Sequence, residues 1–278
     1  MSLLGLFRSK PAPAATAAPP AASVHVSYTV DAEILTDVGC VRDHNEDCIS
    51  ILCERDGNRG DRALVVVADG MGGHNAGEVA SAIAVQQVEA AYSEMRTEPS
   101  ENLKHALEHA NAIIHKQSED NKEMSGMGTT CTALLLQDGY GFSAHVGDSR
   151  LYLIRKRGIF LMSEDHSAVM ELVTAGTLTL EQARQHPDKN VITRSLGGRE
   201  QVEVSTWPHP LPLLAEDRFL LCSDGMYDQI EDEEICGIVS SQSPADACRQ
   251  LVDIARQRGG GDNISVAVVA LRPVNRAQ

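Results

Sequence analysis

The chain has no Cys-x-x-Cys pair, no long apolar run and few basic residues, and each lack closes a class of answers. Its seven cysteines stand at 40, 48, 53, 131, 222, 236 and 248. The odd number and wide spacing exclude a disulfide framework or a zinc knuckle and fit free thiols in a reducing compartment. No apolar stretch approaches the ~20 residues that cross a bilayer. The opening run at 3–7 is too short for a secretion signal and has no basic residue before it. A cytoplasmic protein without a transmembrane segment is therefore expected. Lys and Arg total 24 against 39 Asp and Glu, a net charge of −15, which argues against nucleic acid or an anionic membrane as partner. What remains is an ordinary globular balance: 278 residues, 42% hydrophobic and 23% charged, enough for one or two domains and a sizeable core. The acidic excess hints that carboxylates are gathered to hold cations.

Residues 11–22 are only Ala, Pro and one Thr, a composition that buries no core and reads as an extended linker. Residues 1–23 are expected to be a tail, 24–273 a folded domain and 274–278 a second short tail. Within the domain, period-two segments at 26–30, 49–53, 63–68, 129–136, 142–146, 151–155, 159–162, 202–206, 218–222 and 264–271 predict strands. Turns are expected at Asp138-Gly139 and at Gly158. Helical patterns cover 77–95, 100–118, 168–175, 180–185, 232–240 and 244–258, the last with Ser243 as N-cap and Pro244 at its first position. Consecutive strands joined by tight turns mean antiparallel sheet, so the fold class is α+β.

The aspartates fall at strand ends. Asp69 closes the run Leu64 to Ala68 and precedes Gly70; Asp148 follows Val146-Gly147; Asp224 closes Phe219 to Ser223; Asp262 follows three glycines and precedes a strand. One Asp-Gly is ordinarily a turn. Four such carboxylates in one domain suggest convergence. Converging carboxylates repel, so they must bind protons or cations. An all-oxygen set selects Mg²⁺ or Mn²⁺ over zinc, and two such ions ~3.5–4 Å apart can hold a shared water as hydroxide and stabilise in-line attack on phosphorus. Arg42 supplies a planar fork for phosphate oxygens, and its neighbours Asn45, Glu46 and Asp47 add a carboxylate pair suited to hydrogen-bonding water.

These segments resemble the metal-dependent protein serine/threonine phosphatases, the PPM family of type 2C, in their compact bacterial form. The matching residues are Arg42-Asp43-His44-Asn45-Glu46-Asp47, Ala68-Asp69-Gly70-Met71-Gly72-Gly73-His74, Gly128-Thr129-Thr130 and Gly147-Asp148-Ser149-Arg150. They continue through Asp165-His166-Ser167, Thr193-Arg194-Ser195-Leu196-Gly197, Ser223-Asp224-Gly225 and Gly261-Asp262-Asn263, in the family's order. The resemblance implies a four-layer αββα sandwich with a binuclear Mn²⁺ or Mg²⁺ centre at one edge. It implies that Asp69 bridges two metals, that Gly70 offers its carbonyl, and that Asp224 and Asp262 hold the other ion. Asp148 with Asp224 then takes a weaker third ion, Glu46 and Asp47 act at the second metal through water, and Arg42 binds phosphate. Residues 165–198 correspond to a mobile flap over the site. Phosphorylated proteins are the implied substrates, an opposing serine/threonine kinase the implied counterpart, and a monomer the expected assembly.

Animal members carry histidine after the Asp-Gly pair; here that residue is Met71, which cannot give a proton, leaving His74 or a metal-bound water as acid. His105, Glu108 and His109 have zinc-protease spacing, but Leu103, Leu107, Ala110 and Ile114 share one helix face and the histidines point away from it, which predicts a solvated surface. A phosphoprotein-sensing scaffold on the same fold and a small-molecule phosphatase are the alternative functions. None of the metal aspartates is missing, which favours catalysis over the scaffold.

Overall fold

The computed structural model describes residues 28–55, 60–72, 76–94 and 98–274. The Ala/Pro-rich segment, the rest of the N-terminal tail, His74 and the last four residues lie outside the described residues. Twelve strands and seven α-helices follow one another as β1 (Tyr28–Asp37), β2 (Asp47–Glu54), β3 (Arg62–Met71), α1 (Ala76–Ser93), α2 (Pro99–Asp120), β4 (Gly128–Thr129), β5 (Cys131–Gln137), β6 (Tyr140–Val146), β7 (Arg150–Arg155), β8 (Gly158–Leu161), α3 (Ala168–Thr174), α4 (Leu180–Arg184), β9 (Ser205–Thr206), β10 (Leu211–Pro212), β11 (Arg218–Cys222), α5 (Asp224–Tyr227), α6 (Asp232–Ser241), α7 (Pro244–Gln257) and β12 (Ile264–Pro273).

They build two antiparallel sheets. One runs β1-β12-β11-β7-β8; the other runs β10-β6-β5-β3-β2, with β4 added to β3 and β9 to β6. Period-two side-chain alternation sorts each strand's residues onto opposite faces. Val65 and Val67 of β3, Leu134 and Leu136 of β5, Phe219 and Leu221 of β11, and Ala267 and Val269 of β12 point inward and fuse the sheets into one buried layer. Leu64, Val66 and Ala68 point outward from β3 and pack beneath Ala80, Ala84 and Val88 of α1 and Leu103 and Leu107 of α2. Leu220 and Cys222 of β11, with Val266 and Val268 of β12, pack beneath Ile235 and Val239 of α6 and Leu251 and Val252 of α7. Three apolar layers require four layers of elements, and the expected αββα sandwich is present. Strands buried on both faces are continuous apolar runs, which explains the unbroken Leu64 to Ala68 sequence.

The two-residue turn at Asp138-Gly139 has φ of 51° and 82°, the type I′ geometry its sequence favours. The turn expected at Gly158 is displaced. Arg155 pairs with Gly158, so the turn residues are Lys156 and Arg157, and Gly158 already belongs to β8. The strand expected at 202–206 shrinks to Ser205–Thr206, and the short helix α5 follows β11 where no helix was expected. Ser243 caps α7, its hydroxyl accepting from the Asp246 N–H at 3.2 Å. Among the described residues, no helix is long and apolar enough to cross a membrane.

Candidate metal centre

Antiparallel pairing brings the carboxylates to one edge. Asp47, the first residue of β2, lies directly opposite Asp69 near the end of β3. In the other sheet, β11 is antiparallel to both β7 and β12, so Asp224, just past its end, lies beside Asp148 and Asp262, just before theirs. Hydrogen bonds tie the two sheets together here. The Ser223 hydroxyl donates to Asp47 Oδ2 at 2.8 Å and accepts from the Ser265 N–H at 3.0 Å. Asn263, 6% exposed, accepts from the Glu46 N–H at 2.8 Å and donates from Nδ2 to the carbonyls of Val38 and His44, both at 2.9 Å. That clamp fixes the loop carrying Arg42 onto the start of β12.

The backbone is equally constrained at Asp69. Its N–H donates to Thr130 Oγ1 and its carbonyl accepts from the Thr130 N–H, each at 2.9 Å. Gly70 follows because nothing larger fits: a Cβ there would stand 2.2 Å from the Gly77 carbonyl oxygen and 2.5 Å from that of Glu46. The close approach lays the Glu46 backbone and the first turn of α1 against the end of β3.

Electrostatically the edge is under stress. Burial drives the Asp69 carboxyl well above the ordinary carboxylate range, and the charges of Asp47, Asp224, Asp148 and Asp262 add to the effect. Burial and then Asp148 and Asp262 do the same to Asp224. Asp47 is pushed up to about 6, chiefly by burial against the opposing hydrogen bonds of Ser265 and Ser223; Asp148, 5% exposed, is pushed up to about 7 by burial and then by Asp165. Burial raises Glu46 as well, with Arg42 opposing. Among the described residues, three buried carboxylate oxygens have no hydrogen-bond partner: Glu46 Oε1, Asp47 Oδ1 and Asp224 Oδ1. Leaving such acceptors unpaired is costly. An all-oxygen, mutually repelling set with unpartnered lone pairs fits a hard divalent cation.

Asp47, Asp69, Asp148, Asp224 and Asp262 are thus brought within electrostatic reach of one another, with Glu46 beside Asp47 and Asp262. No three of the described His, Cys, Asp or Glu side chains close as a finished cage around one point. Arg42 is drawn instead onto Asp262, Nη2 to Oδ2 at 2.7 Å, with half of its side chain exposed. His74 lies outside the described residues. Met71 ends β3 opposite Gly128 of β4. His105 and His109 are exposed on α2, hydrogen-bonded to Glu108 and Gln87, while Leu103 and Leu107 are fully buried beneath them. They form no site.

Sequence reasoning missed three supports. Ser223 and Asn263 stand in the matching segments beside aspartates it identified, but received no role of their own. The third is a pair of stacked imidazoles, His145 and His166, with ring centroids 4.9 Å apart. The Gly147 N–H donates to His166 Nδ1 at 3.0 Å, and Nε2 stands 3.0 Å from Ser205 Oγ and 3.1 Å from Arg194 Nη1. The Gly147 bond steadies the turn before Asp148. The 165–198 segment starts at this point and carries α3 and α4. Lys189 pairs with Asp228 and Arg184 with Glu231, joining it to the stretch after Asp224.

Residues 43–263 match the family described as protein phosphatase 2C. The protein phosphatase PhpP of Streptococcus pneumoniae is 39% identical over 247 residues, covering 87% of this chain and 98% of the relative. Among solved structures, the serine/threonine phosphatase PstP/Ppp of Mycobacterium tuberculosis superposes with a TM-score of 0.77 at 35% identity, over 87% of this chain and 99% of that one. The catalytic domain of a serine/threonine phosphatase PstP, solved with 2 manganese ions, gives 0.75 at 33% identity, over 87% and 98%. With the sandwich, its acidic edge and these likenesses in agreement, the chain is a protein serine/threonine phosphatase belonging to the protein phosphatase 2C family.

Proposed function

We propose that the acidic edge holds two divalent cations, Mn²⁺ or Mg²⁺, and that there the enzyme hydrolyses phosphoserine and phosphothreonine in cytoplasmic proteins, acting as a monomer against a serine/threonine kinase. The observation that carries the proposal is the set of three unpartnered buried oxygens on Glu46, Asp47 and Asp224. Asp69, central among the repelling carboxylates, would be a ligand shared by both ions. Gly70 contributes its carbonyl, and Asp224 and Asp262 complete one ion's ligands. Glu46 and Asp47 serve the other through water. Asp148, buried beside Asp224, shares a weaker third ion with it. When bound, the cations supply the positive charge that activates a water and neutralises the phosphoryl group.

Arg42 binds and orients the phosphate. Its five donors exceed what the single contact with Asp262 uses, and the guanidinium turns from carboxylate to phosphate without leaving the clamp that Asn263 imposes on its loop. His74 is the candidate donor to the departing serine or threonine oxygen, since Met71 has no proton to give.

A phosphothreonine peptide, a sugar phosphate and a nucleotide monophosphate assayed with Mn²⁺ and again after EDTA dialysis test the reading. Peptide turnover that disappears with EDTA and returns with Mn²⁺ supports it. Full rate after exhaustive dialysis, or a preference for the small phosphates, rejects it.

A further inference from the structure

The five-stranded sheet has a second end, and its chemistry is the reverse of the first. Asp148, Asp224 and Asp262 stand two residues beyond β7, β11 and β12 on one side, and Arg155, Arg218 and Arg272 stand at or next to the other ends of the same strands. The ten residues of β12 at ~3.3 Å each separate the two ends by roughly 30 Å. A pocket of about 600 Å³ opens at this far end, lined by those three arginines, by Lys156 and Arg157 of the β7–β8 turn, and by two carboxylates, Glu216 and Asp217. Five cations in one pocket are a marked concentration in a chain of net charge −15. We propose that this pocket is a second binding site, separate from the catalytic edge, for a small organic phosphate of nucleotide size.

Three observations support it. First, the cations are only partly neutralised. Arg155 is committed to Asp217 through Nε and Nη2, and Arg272 pairs with Asp31. Lys156 and Arg157 have no ion pair among the described residues, and Arg218 donates only to the carbonyls of Val239 and Gln242. Burial, then the neighbouring Arg272, works against the charge on Arg218, and Asp31 and Glu216 offset this only in part. Second, the Lys156-Arg157 turn is strained, with φ of 50° and 64°. Both residues occupy the left-handed region, where side chains other than Asn, Asp and Gly are disfavoured. The fold meets the same two-residue requirement at Asp138-Gly139 with favoured residues. Strain retained at a pocket mouth, where it presents two unpaired cations, is the pattern of a functional site. Third, the exposed side chains of Leu214 and Pro273 give the pocket an apolar wall, and a wall of that kind beside cations suits an organic phosphate better than a bare inorganic one. The chain's own N-terminal tail does not supply the anion: β1 begins opposite Pro273 at this same end, but residues 1–27 contain no Asp or Glu.

The test titrates the Mn²⁺-loaded full chain with a non-hydrolysable nucleoside triphosphate analogue and, separately, with imidodiphosphate, by calorimetry at low and high salt. The same titrations are run on Lys156→Asn/Arg157→Gly and, independently, on Arg272→Gln. All variants keep the catalytic edge, so binding there is common to every titration and drops out of the comparison. The expected result is nucleotide binding at least ~10-fold weaker in the double variant, salt-sensitive in the parent chain, with phosphopeptide turnover unchanged and a thermal midpoint at or above the parent's. Equal nucleotide affinity in parent and double variant overturns the site. Imidodiphosphate binding as tight as the nucleotide's overturns the organic ligand class.

Discussion

At Asp69 a single side chain lies among four other carboxylates while its backbone is held on both sides by Thr130. Replacing its charge without changing its shape therefore isolates electrostatics from folding. Asp69→Asn is expected to lower turnover at saturating Mn²⁺ at least ~10³-fold, the scale of removing a principal electrostatic element, while the thermal midpoint of the metal-free protein stays level or rises. Turnover within tenfold of the parent would remove Asp69 from the metal centre. Asn263 works differently, through the loop it clamps. Asn263→Ala frees the Glu46 N–H and the carbonyls of Val38 and His44, so stability should fall by about 2–3 kcal/mol. KM for a phosphopeptide should rise more than kcat falls, because Arg42 loses its fixed approach. Equal effects on both kinetic constants would make the clamp merely structural. The aspartates were legible as strand-end residues, whereas these supports were not: Ser223 meets Asp47, and Asn263 meets Glu46, only after two sheets have packed face to face. Nothing in local spacing encodes such pairs.

At the scale of elements, legibility followed burial. Continuous apolar runs such as Leu64 to Ala68 and Val266 to Leu271 announced central strands because both of their faces are covered. Short strands were misjudged for the opposite reason. Ser205–Thr206 owes its pairing to His145 and Ala144 of β6, and the flanking residues have no partner strand to extend it. The β7–β8 turn was misplaced because turn rules expect glycine in the left-handed region, and Gly158 was the only glycine at hand. Helix α7 was the clearest of the helices, with Ser243 and Pro244 marking its start. Ser243→Ala removes the hydroxyl that accepts from Asp246 N and should destabilise the protein by about 1 kcal/mol, read as a lower urea midpoint with unchanged activity per folded molecule. A shift indistinguishable from zero would mean that Pro244 alone starts the helix.

For the whole molecule, the buried imidazoles contribute acid sensitivity, against which the raised carboxylates of the acidic edge work in the metal-free protein. Burial lowers His145 to about 4 and His166 to about 3, each ring also in the other's neighbourhood. Unfolded, each takes a proton near 6.5. Above that pH both rings are neutral in either state and their contribution is fully present; as pH falls from about 6.5 toward 4, the unfolded chain binds protons that the folded rings refuse, and that contribution is lost. His145 alone accounts for on the order of 3 kcal/mol over that interval. His145→Gln should flatten the acid limb of the denaturation midpoint against pH; an unaltered limb would place the sensitivity elsewhere. The sandwich also fixes an order of events. β1, the first described strand, is in register with β12, the last, from Tyr28 opposite Pro273 to Asp37 opposite Ile264. β12 is also the strand that joins β1 to β11. On the ribosome the first strand thus waits for nearly the whole chain before it has a neighbour, and loop closure over that span is slow. The five-stranded sheet is completed only after synthesis reaches β12, so Asp262 enters the acidic edge last, and until then the nascent chain lacks one of the carboxylates proposed to hold metal.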